Sequence, residues 1–228
     1  GDSSMFRRLN SVGISRTADQ LRQRIFERFP NSGLSKVAAE LADITHDADS
    51  RTATIIRPVT GLRQGVIVGV FVLALGSVMV AVRLNLRIDG FDFAQFVQIL
   101  DAAMNIVVII GGAVVSLITI ENRVRRSRAL KALHELRALA HVVDMHQLTK
   151  DPDRIMGIEP TDSSPEMKLT RFELTRYLNY CSEMLSLIGK LGALYVQDLD
   201  DPVALDTANE LEDLTTGLSQ KMWQKINI

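Results

Sequence analysis

Two apolar runs constrain this chain more than any other feature. Gly65–Val82 (GVIVGVFVLALGSVMVAV) and Ala102–Ile120 (AAMNIVVIIGGAVVSLITI) hold 18 and 19 residues without one charged side chain. At 1.5 Å of rise per residue, each matches the roughly 30 Å hydrocarbon layer of a bilayer when helical. The pair therefore reads as a transmembrane helical hairpin. The rest of the chain must be well solvated, because 23% of the residues are charged although 46% are hydrophobic. That mixture predicts an all-α protein: a two-span hairpin, a long cytoplasmic helical stalk and an antiparallel helical bundle. The expected parts are residues 1–57 (N-terminal cytoplasmic amphipathic helices), 58–121 (the hairpin, spans at 65–82 and about 100–120) and 122–228 (the cytoplasmic bundle).

Orientation follows from basic residues near the spans, which resist translocation. Arg51, Arg57 and Arg63 precede the first run, and Arg123, Arg125, Arg126, Arg128, Lys131 and Arg137 follow the second, whereas the connection carries Arg83 and Arg87. Both termini are expected in the cytoplasm, with a bacterial inner membrane as the expected location. Leu84–Gln98 then forms a short outer loop turning at Gly90, with Phe91, Phe93 and Phe96 at the interface. Phe6-Arg7-Arg8 is not followed by an apolar stretch, so a cleavable signal peptide is not expected. The single cysteine, Cys181, excludes an internal disulfide and reads as a small core residue in a reducing compartment.

Prolines at 30, 58, 152, 160, 165 and 202 avoid the apolar periodic stretches and mark helix boundaries. Arg16–Phe29 places Leu21, Ile25, Phe26 and Phe29 on one face, which suits either an anionic membrane surface or packing on the cytoplasmic domain. Ser35–Asp47 aligns Val37, Ala38, Leu41 and Ile44. The second span runs without a turn signal into Glu121–Lys150, predicting one helix from about Phe93 to His146. Its seam is Leu133, Leu136, Ala140 and Val143, widened by Leu130, Leu139 and Val142. Ser164-Pro165 and Asp201-Pro202 carry cap-and-proline signatures for the last two helices. In the first of these, Leu174, Tyr177, Cys181, Met184, Ile188, Leu191 and Tyr195 keep a 3-4 rhythm, the expected coiled-coil interface of the bundle. In the second, Leu205, Ala208, Leu211, Leu214, Leu218 and Met222 form a stripe, with Trp223 as a contact anchor.

The second run carries the sharpest functional clue. Asp101, Asn105, Gly112, Ser116, Thr119 and Arg123 are spaced by 4, 7, 4, 3 and 4 residues. At 100° per residue they share a sector of roughly 60°. Polar groups facing lipid lose water without replacement, so this edge is expected against protein or an aqueous path. In a symmetric oligomer it would line a pore, with an acidic ring at Asp101 and a basic ring at Arg123. Alternatively Gly112 and Ser116 are a small-xxx-small packing pair. Gly65, Gly69 and Gly76 give the first span a packing side of its own.

No chemistry of a cofactor or enzyme is legible. His134 and His141 are seven apart and weak metal candidates, but the chain holds no HExxH or paired Glu-xx-His motif. The acidic tip Asp198, Asp200 and Asp201 lacks the glycine and the glutamate of a calcium loop. Walker, dinucleotide and nucleophile-elbow motifs do not occur, so no catalysis and no cofactor are expected. With 26 basic and 27 acidic residues, nucleic acid is not an expected partner.

The expected function is a homo-oligomeric channel or pore-forming effector gated by its cytoplasmic helices. The alternative is a non-conducting anchor or scaffold, or a subunit of a larger membrane complex, presenting the bundle to a cytoplasmic protein. In layout alone, through the two apolar runs and the helical segment after Ile120, the chain resembles bacterial two-span membrane effectors coupled to partner sensors. It also resembles two-span proton- or cation-conducting channels with long stalks. Such a resemblance implies a membrane role and supplies no site residues.

Overall fold

Asn10 opens the first helix by accepting the Val12 N–H at 2.9 Å, in the β-region backbone typical of an N-cap. In this computed structural model, which describes residues 8–83, 93–148 and 169–226, that helix is α1, Ser11–Arg28. It buries Ile14, Ala18, Leu21 and Ile25, a 4-3-4 stripe. Phe29 extends the stripe past the helix end, but Phe26 does not belong to it and stands exposed. The face packs inside the protein, which answers the choice between membrane surface and domain packing in favour of packing.

Ser32, just past Pro30, caps α2 (Gly33–His46) by accepting the Ser35 N–H at 3.1 Å. Its buried face is Leu34, Val37, Ala38, Leu41, Ala42 and Thr45, with Ile44 partly covered. A third helix, α3 (Ala48–Ile56), follows at once. Sequence periodicity misses it because Ala48 and Ile55 are its buried residues, too few to make a stripe.

After Pro58, α4 spans Thr60–Arg83, and α5 spans Phe93–Leu148, 56 residues without a break. Residues 93–98, expected in the outer loop, are the opening turns of α5, while 84–92 lie outside the described residues. Thr170 starts α6 (Arg171–Val196) through a capping box: its side chain takes the Glu173 N–H, and Glu173 takes the Thr170 N–H at 2.8 Å. Helix α6 therefore begins at Arg171. The cap expected at Ser164-Pro165 lies outside the described residues. Pro202 occupies the first position of α7 (Pro202–Ile226), and Asp201 caps it by accepting the Ala204 N–H at 3.0 Å.

The chain divides into two units, 1–56 with 126–228, and 57–125. The segments before and after the apolar runs, read separately in the sequence as 1–57 and 122–228, share one core. That core joins Leu21 and Ile25 of α1, Leu34 and Leu41 of α2, Ile55 of α3, Leu133 and Leu136 of α5, Met184 and Ile188 of α6, and Leu211 of α7. It is a helical bundle organised on α6, which packs against α1, α2, α3 and α7. Helix α6 is buried round most of its circumference, including Leu178, Leu185, Leu187 and Leu194 outside the 3-4 stripe. It is a central helix, broader in its burial than a two-stranded coiled-coil seam.

Helices α6 and α7 run antiparallel, because Gly192 approaches Leu211 while Gly189 approaches Thr215. Leu205, placed on the α7 stripe by sequence, is exposed at 39%. On α5 Leu133, Leu136, Leu139, Ala140 and Val143 are buried as the seam requires, and Val142 is exposed.

The second unit presents the opposite surface. Val68, Phe71 and Leu75 on α4 and Val107, Val108 and Val115 on α5 are all more than half exposed. Among the described residues, two helices are long and apolar enough to cross a membrane, and their most apolar windows are wholly unburied. Exposed apolar surface on this scale marks a region for contact with membrane or protein.

Candidate functional site

The polar edge of α5 is built by helical geometry alone. Asp101 and Asn105, one turn apart, are joined by a long hydrogen bond in which the amide donates to the carboxylate at 3.4 Å. One turn beyond Ser116, Thr119 donates its hydroxyl to the Val115 carbonyl at 2.8 Å, which satisfies it within its own helix. Between these ends, a Cβ added at Gly111 or Gly112 would meet nothing within 4 Å. Asp101, Asn105, Gly112, Ser116, Thr119 and Arg123 are all exposed. The edge is thus charged or amide-bearing at its N-terminal end, small in the middle and cationic at Arg123. The glycine side of α4 is equally open, since Gly65, Gly69 and Gly76 also have nothing within 4 Å of an added Cβ.

The bundle positions lead to a different chemistry. Leu174, Tyr177, Cys181, Met184, Ile188, Leu191 and Tyr195 are all buried inside the chain itself. Burial pushes the Cys181 thiol up to about 12 and the Tyr195 phenol up to about 12, and drives Tyr177 upward as well. A thiol held neutral in an apolar core has neither the charge nor the access of a nucleophile. Phe29 sits edge-on to Tyr177 and Tyr180, with centroids 5.5 and 6.4 Å apart, and fixes α1 against α6.

His134 and His141 are both exposed on α5, and among the described residues no three His, Cys, Asp or Glu side chains converge as metal ligands. His146 lies against Gly33, where an added Cβ would come 2.3 Å from the ring. The acidic tip is taken up structurally. Asp198 pairs with Arg8, and the buried Asp201 accepts from Arg126 Nε at 2.7 Å as well as capping α7. Burial raises the Asp201 pKa, but the bonds from Ala204 and Arg126 outweigh it and hold the carboxyl below its ordinary value.

Charge pairs between distant segments are what the sequence reading lacks. Arg24 reaches Glu183, Arg51 reaches Glu135, and Arg137 reaches Glu210 at 2.7 Å. The hydrogen bond to Glu135 is the leading cause of a raised Arg51 pKa. Beside that pair, α3 and α5 enclose an open groove of about 290 Å³ lined by Arg51, Thr54, Arg128, Lys131 and Glu135. Arg128 Nη1 donates to the Thr54 carbonyl at 3.0 Å there. No single-sequence signal ties residue 51 to residue 135, so the groove follows from the packing of α3.

No protein-family model, curated protein or solved structure matches this chain.

Proposed function

We propose that the chain is a homo-oligomeric integral membrane protein in which α4 and α5 cross the bilayer and the polar edge of α5 faces other copies around a conducting path. The observation that carries this reading is the bare edge from Asp101 to Arg123 on an otherwise apolar helix. Oriented toward lipid, Asp101 and Asn105 would lose hydration against a single long bond to each other. Facing an axis, repeated copies supply polar rings.

A hairpin is supported by the shared core. Chain before α4 and chain after α5 pack together in one bundle, so a chain that leaves that side of a membrane must return to it. The basic flanks favour the cytoplasmic side for the bundle, and opening would be biased by the helices continuous with α5.

Purified full-length protein reconstituted in liposomes tests the proposal through cation flux. Asp101→Asn, which removes the charged ring, is expected to lower cation selectivity or conductance severalfold. A protein that assembles yet passes no current refutes conduction. It would favour the second reading, a non-conducting anchor or scaffold that presents the bundle to a cytoplasmic protein. The specific support for that reading is Thr119, whose hydroxyl is already satisfied by its own helix, together with Trp223, 52% exposed on α7.

A further inference from the structure

We propose that a basic groove between α1 and α6 receives the acidic outward face of α7 from a second copy of the chain, an inference that rests on the homo-oligomeric reading above. The groove, of about 460 Å³, is lined by Arg24, Glu27, Arg28, Arg176 and Tyr180. Arg28 and Arg176 hold their guanidinium carbons 5.4 and 5.9 Å from the centroid of the Phe172 ring, and that ring is 62% exposed. Carboxylates nearby are engaged already. Glu183 pairs with Arg24, Glu27 accepts from the Gln23 amide at 3.0 Å, and Glu173, close enough to feel Arg28, closes the Thr170 cap. Among the described residues neither Arg28 nor Arg176 forms an ion pair. Arginine beside an exposed aromatic ring is the composition of a protein-recognition surface.

The same chain carries the complement. Between Pro202 and Ser219, α7 holds Asp206, Glu210, Glu212 and Asp213 and no cation. Glu210 is taken by Arg137. Asp206, Glu212 and Asp213 are exposed and form no ion pair among the described residues. Asp206 and Asp213, two turns apart, stand opposite the buried Ala204, Ala208 and Leu211. Leu205, exposed beside them, supplies an apolar contact for the Phe172 ring.

Within one chain the two charged patches do not meet. Gly192 lies against Leu211 and Gly189 against Thr215, so Asp213 is level with about residue 190 of α6, roughly 21 Å along the axis from Arg176. That span exceeds the combined reach of an arginine and an aspartate. Opposite charges kept apart in one copy are satisfied between copies, and each copy then uses both surfaces.

Cys181 is buried, so a cysteine added to the surface is the accessible thiol of the full-length protein. Gln23→Cys beside the groove and Asn209→Cys on the outer face of α7 are co-expressed with different tags, purified in detergent and treated with a short bismaleimide. The 23–209 product between differently tagged chains is expected to dominate over 23–23 and 209–209 products. Arg28→Glu with Arg176→Glu on the first chain, or Asp206→Lys with Asp213→Lys on the second, is expected to lower its yield about tenfold, because attraction becomes repulsion. Combining both reversals is expected to restore the yield, a gain that misfolding cannot imitate. Absence of the 23–209 product, a yield indifferent to the reversals, or no restoration overturns the proposal. Ion flux is a separate readout: cross-linked copies that pass no current refute conduction and leave this contact standing, and flux without the cross-link does the reverse.

Discussion

Asp201 performs two tasks with two oxygens, and paired substitutions separate them. Oδ1 caps α7 by accepting the Ala204 N–H, while Oδ2 accepts from Arg126 Nε on α5. Asn caps a helix about as well as Asp, so Asp201→Asn preserves the cap and removes the charge, whereas Asp201→Ala removes both. An N-cap contributes about 1 kcal/mol. A hydrogen bond between charged groups contributes about 1.5–3 kcal/mol. The Arg126 side chain is 41% exposed, and solvent screening reduces that to about 1 kcal/mol. The expected losses are therefore about 1 kcal/mol for Asp201→Asn and about 2 kcal/mol for Asp201→Ala. Urea unfolding of the full chain in detergent, followed by circular dichroism, measures both. Acidification gives a second readout. The folded carboxyl titrates below its ordinary value of 3.8, so its stabilisation is complete above that pH and is lost as pH falls through the folded pKa. Asp201→Asn should flatten that acid limb. Equal losses in the two variants would refute the division of labour, as would an Arg126→Gln cost that is the same with and without Asp201.

Glycines in the bundle are expected to respond oppositely to added side chains. Gly192→Leu forces carbon into a site where even a Cβ comes 2.8 Å from Leu211, and should destabilise by about 1–3 kcal/mol in the same urea assay. Gly217→Ala meets nothing within 4 Å and should stabilise α7 by up to about 1 kcal/mol, so a loss there would contradict the packing described. Cys181, with a thiol near 12, should resist a water-soluble maleimide at pH 8 until denaturant is added, and rapid labelling of native protein would refute its burial.

Much of this architecture is legible from local chemistry. The apolar runs, the unbroken helix from Phe93 and the Asp201-Pro202 start of α7 each depend on residues near one another in the chain. What escaped depends on contacts across it. Phe26 and Phe29 look equivalent on a helical wheel, yet Phe29 lies past the end of α1, where the chain bends toward Tyr177, and Phe26 faces solvent. Helix α3 has almost no apolar rhythm and is fixed by Ile55 in the core and by Arg51 on Glu135. The Thr170–Glu173 box is a local pattern readable from sequence, but the Ser164-Pro165 signature six residues earlier competes with it as a helix start. The α3–α5 groove depends on a pairing 84 residues apart, beyond any local pattern.

A core assembled from both flanks of the apolar runs also dictates an order of events during synthesis. Helix α1 ends at Arg28 and packs first on α2, which follows at Gly33, whereas α6, against which both also pack, starts at Arg171. At 5–20 residues per second, the ribosome leaves the α1–α2 pair waiting roughly seven to thirty seconds for α6. Maturation of the bundle is therefore gated by completion of roughly the last quarter of the polypeptide, from Arg171 onward.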